Sequence, residues 1–130
     1  VVTIDFEVDK HYVIINQWWR VHGSFPPKIE HLPKTGFIVE ADGKPTCAGF
    51  VYKTDSSICV FEFVVSNPDA SKQEKDDCLK QLISSVKSWS KENGFSLIYS
   101  SIGIPKYIKR LQEQGFVVAD EKQTHIFCEV

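Results

Sequence analysis

The sequence predicts a mixed α/β domain of the α+β kind, with a mainly antiparallel central sheet of about six to seven strands flanked by helices. Three observations predict it. Short runs rich in β-branched and aromatic residues (Phe37 to Ala41, Thr46 to Lys53, Ile58 to Val65) are separated by turn signals. Leu79, Leu82, Ile83, Val86 and Trp89 recur at helical spacing and form one apolar stripe. In the second half of the chain helices fall between strands, which adds parallel or crossover pairing.

Each element follows from local chemistry. Val2, Ile4, Phe6 and Val8 alternate with polar residues and read as a half-buried strand. Asp9 is a candidate cap for a helix running to about Val21, with Gly23 as its stop. Tyr12, Ile15, Trp19 and His22 share one face of that helix. Trp18 and Trp19 are adjacent, so one is expected to pack inward and the other to border a cleft or partner surface. Three of the six prolines fall between Ser24 and Thr35, which breaks regular structure apart from a turn at Lys28 to His31. Segments of this kind either carry function or serve as a simple crossover.

Asp42-Gly43 is a strong hairpin signal between the next two strands. Thr54 to Ser57 is a second turn. If tight, it pairs Lys53 with Ile58, Tyr52 with Cys59, Gly49 with Glu62 and Cys47 with Val64. Ser71-x-x-Glu74 is a capping box opening the long helix, and Asn93-Gly94 ends it. Phe95 to Ser101 reads as a strand. Pro105 suits the first turn of a last helix with Ile104, Ile108 and Leu111 inward. Gly115 stops it, and Phe116 to Ala119 and Thr124 to Val130 read as two closing strands.

Composition narrows the function classes. A chain of 130 residues favours one domain, residues 1–130, with a proper core. A net charge of −2 gives no direct nucleic-acid signal. No apolar run of about 18 residues is present, so no membrane span is expected. The start carries Asp5, Glu7 and Asp9 against Lys10, unlike a signal peptide. The cysteines at 47, 59, 78 and 128 contain no C-x-x-C pair, so they read as small buried hydrophobes in a cytoplasmic, reducing setting rather than a metal site. The four histidines show no metal spacing. His22 and His31 flank the irregular segment and either line an acceptor site or are solvated.

The candidate chemistry concentrates between Ser57 and Gly94. A strand that hands its chain to a helix start makes an anion site, because free N–H groups and the helix dipole point the same way. Glu62 lies in the middle of that apolar strand, on the face expected to hold Ile58, Val60 and Val64. Burial there raises a carboxyl pKa and suits a general base. The alternative is a carboxylate paired with a hydroxyl or lysine. Gly49 opposite it would leave room for a ligand. Asp76 and Asp77 suit the helix dipole and oppose an anion, while Lys72 and Lys75 offset them. Lys106, Lys109 and Arg110 form a small basic cluster on the last helix, either solvated or facing a ligand phosphate.

The element order resembles the GNAT superfamily of N-acetyltransferases over nearly the whole chain. Val65-Ser66-Asn67-Pro68-Asp69 looks like the family's strand end. Gln73-Glu74-Lys75-Asp76-Asp77-Cys78 occupies the place of its Q/R-x-x-G-x-G/A motif. Leu111 to Phe116 is similar to its Tyr-x-x-x-Gly-Phe ending. Trp18-Trp19 and Leu32-Pro33-Lys34-Thr35-Gly36 resemble short GNAT-like proteins of phage genomes. The resemblance implies transfer of acetyl from acetyl-CoA to an amine, in a small molecule or a protein. It implies that the Val64 and Val65 main chain holds the pantetheine and that amides from Gln73 through Lys75 and Asp76 to Cys78 hold the pyrophosphate. It implies that Glu62 acts as base. Tyr107, one turn before Leu111 on the edge of the apolar face, either stands in as general acid or is a tyrosine half-packed in the core. The chain departs from the family where Asp76 and Cys78 replace small motif residues, where Leu111 replaces the tyrosine and where Ile104 replaces a common asparagine. These departures keep open a non-catalytic GNAT-like protein that acts by binding or inhibiting a protein partner.

Overall fold

The computed structural model describes all residues, 1–130. The elements are β1 (Val2–Asp5), α1 (Val8–Val21), a single 3₁₀ turn (Ile29–His31), β2 (Gly36–Ala41), β3 (Lys44–Lys53), β4 (Ile58–Ser66), α2 (Lys72–Glu92), β5 (Leu97–Tyr99) and α3 (Pro105–Glu113). The strands form one mixed sheet in sequential order. The first three pairings are antiparallel, and β4 with β5 is parallel. The sheet therefore has five strands, not six to seven. Phe116 to Val130 makes no strand, and no main-chain hydrogen bond is donated beyond Phe116. The alternation in that tail is real, but Val117, Ile126 and Phe127 face solvent. With three residues, β5 also offers little edge to pair with.

Side-chain alternation divides the core into two layers. On one face Val39, Cys47, Val51, Cys59 and Phe61 meet the α2 stripe of Leu79, Leu82, Ile83 and Val86. On the other, Ile38, Ala48, Phe50 and Val65 meet Phe6, Ile15, Trp18 and Trp19. Both tryptophans are thus buried, which corrects the expectation that one would border a cleft. Their flanking position is resolved by the breadth of the α1 face, where Trp19 stacks on Phe50 at 6.5 Å. Leu82, Ile83 and Val86 are fully enclosed. Burial of each stabilises the fold by roughly 1.5–3 kcal/mol.

Turn chemistry sets the registers. Asp42 and Gly43 both have positive φ (53° and 75°), as the two-residue turn linking β2 to β3 requires. The turn between β3 and β4 is one residue wider than expected, and Lys53 pairs with Cys59, Tyr52 with Val60 and Phe50 with Glu62. The cause is Thr54, whose hydroxyl donates to the Ile58 carbonyl and bonds the Ser56 side chain, filling the turn from within. A second slip brings Cys47 opposite Ser66. It lies at Phe63, whose φ of +57° is left-handed, the mark of a β-bulge. Gly49 therefore does not oppose Glu62, and it opens no space. A methyl group there would stand 2.8 Å from the Phe61 ring and 3.1 Å from Leu82, so the glycine lets α2 close on the sheet.

The helix ends were partly anticipated. Ser71 Oγ accepts from the Glu74 N–H at 3.1 Å, and Glu74 Oε1 accepts from the Ser71 N–H at 2.9 Å. The first helix starts one residue before Asp9, and its free Glu7 N–H donates to buried His11 Nδ1 at 2.9 Å. Ile104 caps α3 but stays exposed, leaving Leu111 as that helix's buried residue. No helix is long and apolar enough to cross a membrane.

Candidate functional site

The site begins where β4 and β5 part. They pair from Ile58–Leu97 to Val60–Tyr99 and no further. Ser100 Oγ then donates to the Phe61 carbonyl at 2.7 Å, and the Ser101 N–H donates to Glu62 Oε1 at 2.9 Å. Beyond this fork β4 has a strand neighbour on its β3 side alone, and a cleft opens toward α2 and α3. A cavity of about 190 Å³ lies in it, lined by Val64, Leu79, Ile104 and Tyr107 on its apolar side and by Lys75, Asp76 and Lys106 among its polar residues.

Glu62 stands at the fork and is half-buried. Burial raises its pKa. The Ser101 N–H and the positive charge of His125 pull it down, and the net shift is upward. The bulge sets its surroundings. Phe63 lies on the α1 side, edge-on to Trp19 at 6.3 Å and near Tyr52 at 6.3 Å, while Val64 packs on the α2 side. Val64 thus does not share the Glu62 face, as uniform alternation had implied. Burial and the nearby Glu62 charge raise the pKa of Tyr52. Its hydroxyl donates to the His31 carbonyl at 2.6 Å.

The helix start is organised around Asp76. Its carboxylate pairs with Lys106 at 3.2 Å and Arg110 at 3.1 Å, joining α2 to α3 across the mouth of the cleft. Burial raises the Asp76 pKa, but bonds from Lys106 and Arg110 outweigh it and hold the carboxyl below its ordinary value. Arg110 also pairs with Glu113 at 3.1 Å. In the basic cluster Lys109 is exposed, as a solvated face implies, while Lys106, its side chain 40% exposed, and Arg110 are paired with Asp76.

Of the residues singled out from sequence, the cleft gathers Val64, Lys75, Asp76 and Tyr107. Glu62 does not line it: it stands at the fork, opposite Phe50 and on the other face of the sheet from Val64. Val65 turns to the opposite face beside the tryptophans. Gln73 is exposed and bonds Asp77 Oδ1 at 2.9 Å. Cys78 is sealed in the core, where burial raises its thiol pKa. Two polar ties were invisible to sequence reasoning. His22 Nε2 donates to the Ser66 carbonyl at 2.9 Å, pinning α1 to the end of β4. Asn67 donates to the Pro45 carbonyl at 3.1 Å. No pattern links such distant pairs. No group of three His, Cys, Asp or Glu side chains is placed to hold a metal.

Known structures share this fold. One described as a probable acetyltransferase superposes with a TM-score of 0.71 at 10% identity, covering 100% of this chain and 99% of that one. The fold is that of the GNAT N-acetyltransferases. The aminoglycoside acetyltransferase AAC(6')-Iy, solved with the bisubstrate analogue CoA-S-monomethyl-acetylneamine, matches with a TM-score of 0.64 at 18% identity, over 99% of this chain and 97% of its own. A transcriptional regulator from Bacillus halodurans C-125 shares the GNAT-like shape at a TM-score of 0.71, 12% identity and coverage of 98% and 99%. No protein-family model matches the sequence, and no curated protein matches it either.

Acetyl-CoA would fit this version of the GNAT cleft unevenly. Its thioester arm would enter a channel of mixed lining between Val64 and Tyr107, where Ser66, Lys75, Asp76 and Lys106 stand beside the apolar residues. At 190 Å³ the channel is below the roughly 300–1,000 Å³ usual for a whole ligand, so it suits part of one. The diphosphate end would meet the Asp76 carboxylate, whose Oδ1 is buried without a hydrogen-bond partner of good geometry. A side chain stands there, where close phosphate approach favours glycine.

Proposed function

We propose that this chain transfers an acyl group, acetyl in the simplest case, from a pantetheine thioester such as acetyl-CoA to an amine. The observation that carries the reading is Glu62, a half-buried carboxylate of raised pKa held at the fork of β4 and β5 by the Ser101 N–H. The bound donor supplies an activated acyl carbon. Glu62 takes the proton of the attacking amine, and its raised pKa brings it nearer the amine's own. The new C–N bond forms as the C–S bond breaks. Tyr107 returns a proton to the departing sulfur, a role supported by its position in the cavity lining. His22 holds the end of β4 in place through Ser66, keeping the cleft wall rigid. The fold similarity supports this reading, as does the CoA conjugate bound to AAC(6')-Iy. The acceptor is an amine on a small molecule or a protein, and the thiol-type cysteines accord with a reducing cytoplasm.

Thiol release from S-acetyl donors with a panel of amines tests the proposal. Glu62→Gln keeps the Ser101 contact but cannot take a proton, and a rate loss of about 10²–10⁴ is expected. One observation favours a second reading, a binding protein without chemistry. The Asp76 bridge closes the phosphate end of the cleft. Thiol release that no amine stimulates, in wild type and variant alike, selects that reading.

A further inference from the structure

The Asp76 bridge has a consequence for donor choice. Lys106 and Arg110 are the two cations that α3 brings to the mouth of the cleft. One carboxylate from α2, Asp76, pairs with both, and Arg110 is also met by Glu113 of its own helix. Asp76 is held from both sides, and its side chain is only 13% exposed. Two N–H groups of the adjacent helix start are taken as well. The Ser71 N–H is taken by Glu74 and the Glu74 N–H by Ser71. An incoming diphosphate would have to displace a half-buried carboxylate from its two cations and leave it unpaired beside the ligand's own charge, which opposes binding. The arm channel makes no such demand. Val64, Leu79, Ile104 and Tyr107 give it an apolar or aromatic side beside the polar Ser66, Lys75, Asp76 and Lys106.

We infer that Asp76 is a specificity-determining residue that supplies the anion for Lys106 and Arg110 internally, so that the donor is selected by its acyl-pantetheine arm and its nucleotide diphosphate adds no affinity. This rests on the proposed acyl transfer. The donors favoured are acyl thioesters of pantetheine that lack a diphosphate, and acetyl-CoA binds no better than its arm alone. Asp76 acts as a charge filter at the mouth and takes no part in bond making.

Isothermal titration of S-acetyl-pantetheine and acetyl-CoA separates the possibilities. In the wild type the two dissociation constants are expected within about threefold of each other. In Asp76→Asn the freed cations should tighten acetyl-CoA by about tenfold or more, with S-acetyl-pantetheine unchanged. Wild-type binding of acetyl-CoA at least about tenfold tighter than the arm overturns the inference while leaving the acyl-transfer reading standing. Equal affinities in both proteins overturn the role of Asp76. If neither compound binds either protein at millimolar concentration, the donor reading and this inference fall together. The wild-type ratio needs no variant, so it decides the matter even should Asp76→Asn fold poorly.

Discussion

The bulge at Phe63 positions the site, and its backbone strain is measurable. A non-glycine residue in the left-handed region costs about 1–2 kcal/mol. Phe63 sits there at φ +57°. Two substitutions isolate the backbone from the ring. Phe63→Ala and Phe63→Gly both remove the edge contacts to Trp19 and Tyr52, so their difference reports the main chain. Glycine relieves the left-handed penalty but loses about 0.4–1 kcal/mol to the greater freedom of its unfolded chain. The balance leaves Phe63→Gly more stable than Phe63→Ala by about 1 kcal/mol. At Val2, an exposed position of β1, the order should reverse, with glycine about 0.5–1 kcal/mol less stable than alanine. Urea unfolding of the four variants with a common slope gives both differences. If Phe63→Gly is the less stable of its pair, β4 is not bulged at this residue. The placement of Glu62 and Val64 on different faces then fails with it.

Other consequences follow from the same geometry. Gly49→Ala drives a methyl group into Phe61 and Leu82 and should destabilise the fold by about 1–3 kcal/mol in thermal or urea unfolding, whereas an open site there would leave stability unchanged. Ser71→Ala removes the α2 cap and should cost about 1 kcal/mol by the same assays. Glu62 has a raised folded-state pKa, so its contribution to stability is full below the ordinary glutamate value of about 4.3 and is lost as pH rises through the folded value. Glu62→Gln should therefore gain stability relative to wild type between acid and neutral pH. A constant difference across that range would show that burial does not perturb the carboxyl. Wild-type acyl transfer, in contrast, should rise with pH through the same titration, because the base works ionised.

Much of the fold was legible because its signals are local. The α2 stripe from Leu79 to Val86, the Ser71–Glu74 box and the Asp42-Gly43 turn each depend on residues within a turn or two, and the structure places all three as read. Register was less legible. A wide turn built by the Thr54 hydroxyl and a bulge at a phenylalanine carry no glycine to announce them. The two closing strands failed for another reason. Alternation at Phe116 to Val130 measures compatibility with a sheet edge, not whether a long enough edge is there. In the site, Glu62 stood out as one carboxylate in an apolar strand, and its half-buried place at the fork follows from that pattern. The Asp76 bridge did not stand out. Asp76 read as repulsion toward an anion, and Lys106 with Arg110 as a separate basic patch. Their distance of some thirty positions in sequence concealed that each is the other's partner.

The central claim is that a pantetheine thioester occupies the cleft between β4 and β5. Titration of ¹⁵N-labelled protein with S-acetyl-pantetheine, followed by amide chemical shifts, tests it most directly. The account predicts saturable shifts at Val64, Val65, Ser66, Ser101 and Tyr107, with the far hairpin at Asp42-Gly43 unmoved. Shifts confined to another surface, or none at millimolar ligand, would contradict it.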